Sequence, residues 1–78
     1  MIVGMTDVSL RMTYDPVADA AYIYITDPIE AGAVVKGLVL DHDLSNTAVV
    51  GDFDAEGHLL GVELRGVARL LRPGVLPD

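Results

Sequence analysis

Two strand-like segments in the second half of the chain are separated by a short acidic loop, and this pattern constrains the fold more than any other. Residues Thr47–Phe53 and His58–Arg65 are rich in β-branched and aliphatic side chains, which strands favour. The loop between them ends on Gly57, and glycine readily adopts the positive φ that tight hairpin loops need. The sequence therefore predicts a β-hairpin over Ala48–Arg65, turned by the loop Asp52–Gly57.

Three segments that precede the hairpin also have the composition of strands. Val8–Tyr14 alternates apolar and polar residues, which indicates one buried and one exposed face. Ala21–Thr26 carries β-branched and aromatic residues, and Ala33–Asp41 is apolar on both faces. Two apolar faces favour a central position in a sheet, or an interface. A turn is predicted at Asp43–Asn46.

Two short helical segments are expected outside the strands. Asp15-Pro16 supplies a good capping residue and a good first helical residue, so Pro16–Ala20 is predicted to form a short helical turn or simply a tight turn. Val67, Leu70 and Leu71 are spaced i, i+3 and i+4, which predicts a short C-terminal helix.

These elements together predict one α+β domain over residues 1–78. We expect a small antiparallel β-meander of four to five strands, with a short N-terminal helical turn and a short C-terminal helix. Residues 1–7 and 73–78 are expected to be loose ends.

The chain is short and apolar, and it has no cysteine. Its 78 residues are 51% hydrophobic, and a chain of this size rarely obtains more than about 3–5 kcal/mol from a single core. So much apolar surface is hard to bury within one short chain, and disulfides cannot add stability. We therefore expect a homo-oligomer, in the first place a homodimer.

The chain carries a net charge of −7, from 12 acidic and 5 basic residues. This charge opposes nucleic-acid binding, because Lys and Arg contacts to phosphate supply much of that affinity, and it suits a basic protein partner. Arg65, Arg69 and Arg72 form either a solvated helix face or a small basic patch. The chain has no apolar run of the ~20 residues that cross a membrane and no pattern of a signal peptide, so we expect a cytoplasmic location and no membrane association.

The hairpin loop matches the spacing of an EF-hand calcium loop. Asp52, Asp54, Glu56, Gly57 and Glu63 occupy positions one, three, five, six and twelve of that pattern. An EF-hand loop joins two helices, however, whereas this loop joins two predicted strands. At roughly 3.3 Å per strand residue, Glu63 would lie too far from the tip of the hairpin to reach an ion. The alternative is an acidic loop that stays in solvent and discourages edge aggregation.

Other patterns that could carry chemistry are less specific. Asp41-His42-Asp43 and His58 contain residue types that bind zinc, but their spacing is not diagnostic and solvent-facing histidines are the simpler interpretation. Neither serine lies in a nucleophile elbow. Tyr22 and Tyr24 share a strand face and could stack on a ligand, although cross-strand packing is the commoner role. No catalytic residue and no cofactor is predicted, and an enzyme is not expected.

Several of these residues together resemble a bacterial family called "domain of unknown function 2283". Its members open with a pattern Y-D-x-x-A-D-A-x-Y-I and continue with D-x-D-x-x-G and G-I-E-I-L. The similar residues here, between roughly Leu10 and Leu71, are Tyr14, Asp15, Pro16, Asp19, Tyr22, Asp52, Asp54, Gly57, Gly61 and Glu63. The segment 32–46 is longer than the family pattern has at this place. The sequence therefore leaves open whether this segment forms one strand or two.

The motif residues also have structural interpretations. Asp15-Pro16 and Asp19 would set one turn, and Asp52, Asp54 and Gly57 another. Gly61 would allow a neighbouring ring or backbone to approach closely. The resemblance implies no established activity, and the occurrence of some members beside small toxin-like proteins implies an antitoxin-like binding role.

Two functional hypotheses follow. The first is a non-enzymatic interaction module that associates with itself through its apolar strands. The alternative is a small metal- or ligand-binding protein that uses Asp52, Asp54 and Glu56 of the hairpin loop.

Overall fold

The protein forms one five-stranded antiparallel sheet with a short helix at its C-terminal end. The computed structural model describes residues 4–43 and 46–77, and for residues 41–43 it describes the backbone. The elements in chain order are β1 (Arg11–Asp15), β2 (Ala20–Tyr24), β3 (Lys36–Asp43), β4 (Thr47–Phe53), β5 (Leu59–Arg65) and α1 (Val67–Leu70).

The predicted hairpin is confirmed. β4 pairs with β5 in antiparallel register from Ala48 opposite Arg65 to Phe53 opposite Leu59, and Gly57 has a φ of 86°. The sheet and the short C-terminal helix are also confirmed. The segment 32–46 supplies one strand, β3, among the described residues, while part of the turn predicted at Asp43–Asn46 lies outside them.

The predicted meander is wrong in its strand order. A meander would place the five strands side by side in sequence order, whereas the observed order is β1-β2-β5-β4-β3. β2 is connected to β3 by the eleven residues from 25 to 35, long enough to carry the chain to the far edge of the sheet. β5 then returns to the centre and pairs with both β2 and β4.

β3 lies at an edge of the sheet, so the central position that its two apolar faces suggested is wrong. It pairs with β4 on one side, and its other side is the boundary of the sheet. Val39 and Leu40 are 52% and 50% exposed. Apolar side chains on both faces of a strand indicate that both faces are buried, but they do not specify whether residues of the same chain or of another chain cover them.

The predicted N-terminal helical turn is not present. Residues 16–19 form a turn that returns the chain from β1 to β2, with Asp15 directly opposite Ala20. One carboxylate oxygen of Asp15 accepts hydrogen bonds from the backbone N–H groups of Val17 and Ala18, at 3.0 and 3.2 Å. Asp19 then adopts a φ of 53°, which ends any helical path.

The core lies where the C-terminal helix covers one end of the sheet. Val67 is fully buried and packs with Ala21 and Leu64. Further apolar side chains surround this cluster, namely Tyr14, Ile23, Val49, Val62, Leu71 and Leu76. Cross-strand partners share a face of the sheet, so Tyr14, Ala21, Leu64 and Val49 form one apolar row across four strands.

Asp19 connects this helix to the first hairpin. Its backbone carbonyl accepts hydrogen bonds from the N–H groups of Gly66 and Val67, at 2.9 and 3.2 Å, and its carboxylate accepts one from Ala68 at 2.9 Å. Gly66 begins the helix in a left-handed conformation and provides no side-chain cap. Asp19 therefore supplies the cap from 49 residues away.

We expect Asp19→Ala to lower the free energy of unfolding by about 1–2 kcal/mol, because the substitution removes a cap and strains a left-handed residue. Asp19→Asn is the matched control, since its amide oxygen can accept the same hydrogen bond and asparagine tolerates the backbone conformation. Urea unfolding followed by circular dichroism measures both. Equal losses in the two variants would contradict the capping role.

Candidate functional site

The hairpin loop is organised around the carboxylate of Asp54. One of its oxygens accepts hydrogen bonds from the N–H groups of Glu56 and His58, at 2.9 and 2.8 Å. The other oxygen lies 3.2 Å from Nδ1 of His58. These bonds, first among them the one from the His58 backbone, hold the pKa of Asp54 below its usual value. Asp54 therefore uses its acceptor capacity to shape the loop.

The five residues with EF-hand spacing are not brought together. Asp52 accepts a hydrogen bond from the hydroxyl of Tyr22 at 2.7 Å, and Glu63 forms an ion pair with Arg65. Glu56 is exposed. Within residues 4–43 and 46–77, no three acidic or histidine side chains are placed to hold a metal ion. His58 belongs to the Asp54 loop, and the side chains of Asp41, His42 and Asp43 lie outside the described part of the structure.

Tyr22 reaches Asp52 by crossing the central strand. Tyr22 lies on β2 and Asp52 on β4, so β5 separates them. The ring passes directly over Gly61, where an added β-carbon would be 2.5 Å from two of the ring carbons. This is the close approach that was predicted at Gly61. Burial, followed by the hydrogen bond to Asp52, raises the pKa of Tyr22, so the phenol keeps its proton and remains a donor well above neutral pH.

The aromatic cluster continues towards the β1 edge of the sheet. The rings of Tyr22 and Tyr24 meet edge to face, with centroids 4.9 Å apart. The Arg11 guanidinium lies 3.8 Å above the centre of the Tyr24 ring and makes two hydrogen bonds to Asp27, at 2.9 and 3.1 Å. The bond from Arg11 lowers the pKa of Asp27. The face of Tyr24 thus contacts Arg11, and the two tyrosine rings contact each other.

Sequence reasoning missed Arg11 and Asp27. Once the register of β1 and β2 is known, Arg11 stands opposite Tyr24, and a cation opposite an aromatic ring is a recurrent cross-strand pair. Without that register the signal is weak, because Arg11 is one polar residue among several on the exposed face of a strand.

The remaining motif residues lie at the other end of the molecule or on the other face of the sheet. Tyr14 packs against the core, Asp15-Pro16 forms the first turn, and Asp19 caps the helix. The motif therefore contains one group that fastens the β1–β2 hairpin to α1 and a second group that fastens β2 to the β4–β5 hairpin. Asp54 and Gly57 belong to neither group and shape the hairpin loop. Both groups perform structural tasks.

An open cleft lies beside the hairpin loop, on the β3 side. Its volume is about 320 Å³, near the lower end of the range for small-molecule sites. It is lined mainly by apolar groups, with one cationic and one anionic side chain among them. The lining residues are Val35, Lys36, Leu38, Phe53, Asp54, Ala55 and Gly57.

The comparison with known families agrees with these observations. The family described as "Protein of unknown function (DUF2283)" matches residues 11–67, a span that contains all of the motif residues. The chain belongs to the DUF2283 family. The resemblance inferred from the sequence is thereby confirmed. No curated protein and no solved structure matches the chain, and no described helix is long and apolar enough to cross a membrane.

The geometry explains why a glycine stands at position 61 of this chain. Only a residue without a side chain leaves room for the Tyr22 ring above β5. The ring in turn carries its hydroxyl to the Asp52 carboxylate. Tyr22, Gly61 and Asp52 are therefore one unit that spans three adjacent strands, which we call the tyrosine clamp.

We expect Gly61→Ala to lower the free energy of unfolding by about 2 kcal/mol, because the added methyl group forces the Tyr22 ring away. In a Tyr22→Ala background the same substitution should cost less than about 0.5 kcal/mol, since the space above β5 is then free. Urea unfolding of the four proteins in this double-mutant cycle measures the coupling. Equal costs in both backgrounds would contradict the tyrosine clamp.

Proposed function

We propose that this DUF2283 protein is a non-enzymatic interaction module that associates with itself through its apolar strands. The observation that carries the proposal is the exposure of the segment Val34–Leu40. Five large apolar side chains of this segment are 38–61% exposed, namely Val34, Val35, Leu38, Val39 and Leu40. Exposed apolar side chains that are grouped along one edge of a sheet are typical of protein interaction sites.

The small size of the core supports the same function. Among the described residues, the buried apolar side chains are Ala21, Val50, Leu60, Leu64 and Val67. Within the part of the chain whose side chains are described, the largest one that is fully buried is a valine, Val67. Small domains without disulfides commonly gain stability by oligomerisation, and this chain has no cysteine.

The acidic side chains support a binding role over a catalytic one. Asp15, Asp19, Asp52 and Asp54 each accept hydrogen bonds that hold a turn, a helix or the tyrosine clamp. A carboxylate that serves as a general acid or base must be able to reach a substrate proton. These four carboxylates are committed to holding the fold.

A finer form of the proposal is an antitoxin-like role, in which the module binds a basic protein. The net charge of −7 supports it, because an acidic surface attracts a basic partner and accelerates their encounter. A complex held in this way weakens as salt rises, since exposed charges are screened within about 10 Å at 0.1 M ionic strength.

We expect the purified protein to be a dimer at micromolar concentration, with about twice the chain mass of 8.3 kDa. Self-association removes the exposed apolar segment from water, which is favourable by roughly 25 cal/mol per Å². Light scattering coupled to size-exclusion chromatography measures the mass, and dilution gives the dissociation constant. A stable monomer throughout the micromolar range would refute self-association.

The alternative function is the binding of a small ligand at the acidic loop. The observation in its favour is the cleft of about 320 Å³, which adjoins Asp54 and Gly57. An aromatic acid suits this cleft, because its ring could contact the apolar lining and its carboxylate could pair with Lys36.

Nuclear magnetic resonance of the backbone amides from Asp52 to His58 distinguishes the binding of calcium from the binding of a small organic ligand. We expect millimolar calcium to produce no saturable shift, because Asp52 and Asp54 already accept hydrogen bonds from the protein. Small aromatic acids such as benzoate provide the second titration. A saturable shift with calcium would contradict our interpretation of the loop, and one with an aromatic acid would favour the ligand-binding function.

A further inference from the structure

The two edges of the sheet differ in how they are protected. β1 is five residues long, has Arg11 and Asp15 at its ends and is followed by Pro16. Short length, charged residues and proline are the features by which edge strands resist pairing with another chain. β3 is eight residues long, and its charged residues are Lys36, Asp41 and Asp43. Its register with β4 shifts between Val39 and Asp41, and the stretch from Gly37 to Leu40 is uncharged. The edge of β3 is therefore least protected from Gly37 to Leu40.

The charge distribution indicates what β3 can pair with. The whole chain carries 12 acidic residues, but the segment from Ala31 to Leu40 contains none. Two copies of an acidic chain repel each other, and like charges placed directly opposite each other destabilise an interface. The segment 31–40 is a place where two copies can meet without opposed carboxylates. A second copy of this chain thus fits the β3 edge.

Complementary shapes lie at the two ends of this strand, on the same face of the sheet. Leu38 pairs with Gly51, and a β-carbon added at Gly51 would contact both Leu40 and Phe53, at 3.1 and 3.0 Å. Leu40, Leu38 and Phe53 therefore share a face. At one end of the strand Leu40 is 50% exposed, and at the other end is the cleft lined by Val35, Leu38 and Phe53.

We propose that two copies pair β3 with β3 in antiparallel orientation, about a two-fold axis perpendicular to the sheet near Leu38, and that each Leu40 enters the cleft of its partner. The two sheets of five strands then form one continuous sheet. This inference rests on the self-association proposed above and adds the surface and the geometry.

A two-fold axis in this direction satisfies the geometry of the strand and the cleft. It reverses the strand direction, so the Leu40 end of one copy meets the Lys36 end of the other, and it keeps the two cleft-bearing faces on the same side. Four strand residues span about 13 Å, the distance from Lys36 to Leu40. The free backbone groups of both β3 edges gain hydrogen-bond partners, while the cleft takes up an apolar side chain.

The first experiment compares Leu40→Lys with Val17→Lys by light scattering over a dilution series. Val17 is 96% exposed in the β1–β2 turn, so its substitution adds the same charge away from the proposed interface. We expect Leu40→Lys to raise the dimer dissociation constant at least about tenfold, because it replaces an apolar side chain by an ammonium group that must lose its water to enter a mainly apolar cleft. Val17→Lys should leave the constant unchanged or lower it, since it reduces the net repulsion.

The second experiment uses the absence of cysteine from the chain and does not depend on the stability of the lysine variant. Single substitutions Leu38→Cys, Met12→Cys and Val17→Cys place one thiol near the proposed axis, on the β1 edge or in a turn. Directly opposed strand residues have Cα atoms about 4.5–5.5 Å apart, which a disulfide can span. We expect mild oxidation to convert Leu38→Cys into a covalent dimer and to leave the other two largely monomeric on a denaturing gel.

The outcomes separate this inference from the proposed function. Weakened association of Leu40→Lys together with selective cross-linking of Leu38→Cys would support the β3 pairing. A wild-type dimer that tolerates Leu40→Lys, or that cross-links at Met12→Cys but not at Leu38→Cys, would overturn the β3 pairing and leave self-association standing. A monomeric wild-type protein without cross-linking at Leu38→Cys would overturn both.

Discussion

Strand β5 connects the two halves of the sheet, and the arrangement of the other elements depends on its pairing. It is hydrogen-bonded to β2 on one side and to β4 on the other, so the N-terminal hairpin and the C-terminal hairpin meet at this strand. Gly61 of β5 leaves space for the Tyr22 ring, whose hydroxyl bonds to Asp52 on the far side. β5 therefore connects the two halves of the sheet through its backbone hydrogen bonds. Its Gly61 also allows side chains of β2 and β4 to bond to each other across the strand.

α1 and the tyrosine clamp stabilise different contacts between the β1–β2 hairpin and the β4–β5 hairpin. On one face α1 buries Val67 against Ala21 and Leu64, and Asp19 holds the start of the helix. On the other face the tyrosine clamp ties β2 to β4. The family motif includes residues of both sets, so its pattern reflects the contacts that hold the strands of the sheet together. Neither set leaves a group of acidic side chains free to gather around an ion among the described residues.

The interaction proposals arise from what this assembly leaves exposed. Placing β5 at the centre moves β3 to the edge, where Leu38, Val39 and Leu40 are about half exposed. Single exposed apolar residues are ordinary in proteins, but a run of them on the uncharged part of an edge strand is unusual because it invites pairing with another chain. The same topology therefore accounts for the small core and for the surface through which a second copy can bind.

The sequence by itself determined the local features of this protein. The β4–β5 hairpin followed from two strand-like segments and a loop ending in glycine, because turn chemistry acts between neighbouring residues. The motif residues identified the family for the same reason, since they stand in fixed local patterns. The tertiary structure alone decided the strand order, the edge position of β3 and the pairing of Tyr22 with Asp52 across 30 residues. These depend on which strands meet, and hydrophobic patterning specifies that a face is buried without specifying the strand or the chain that buries it.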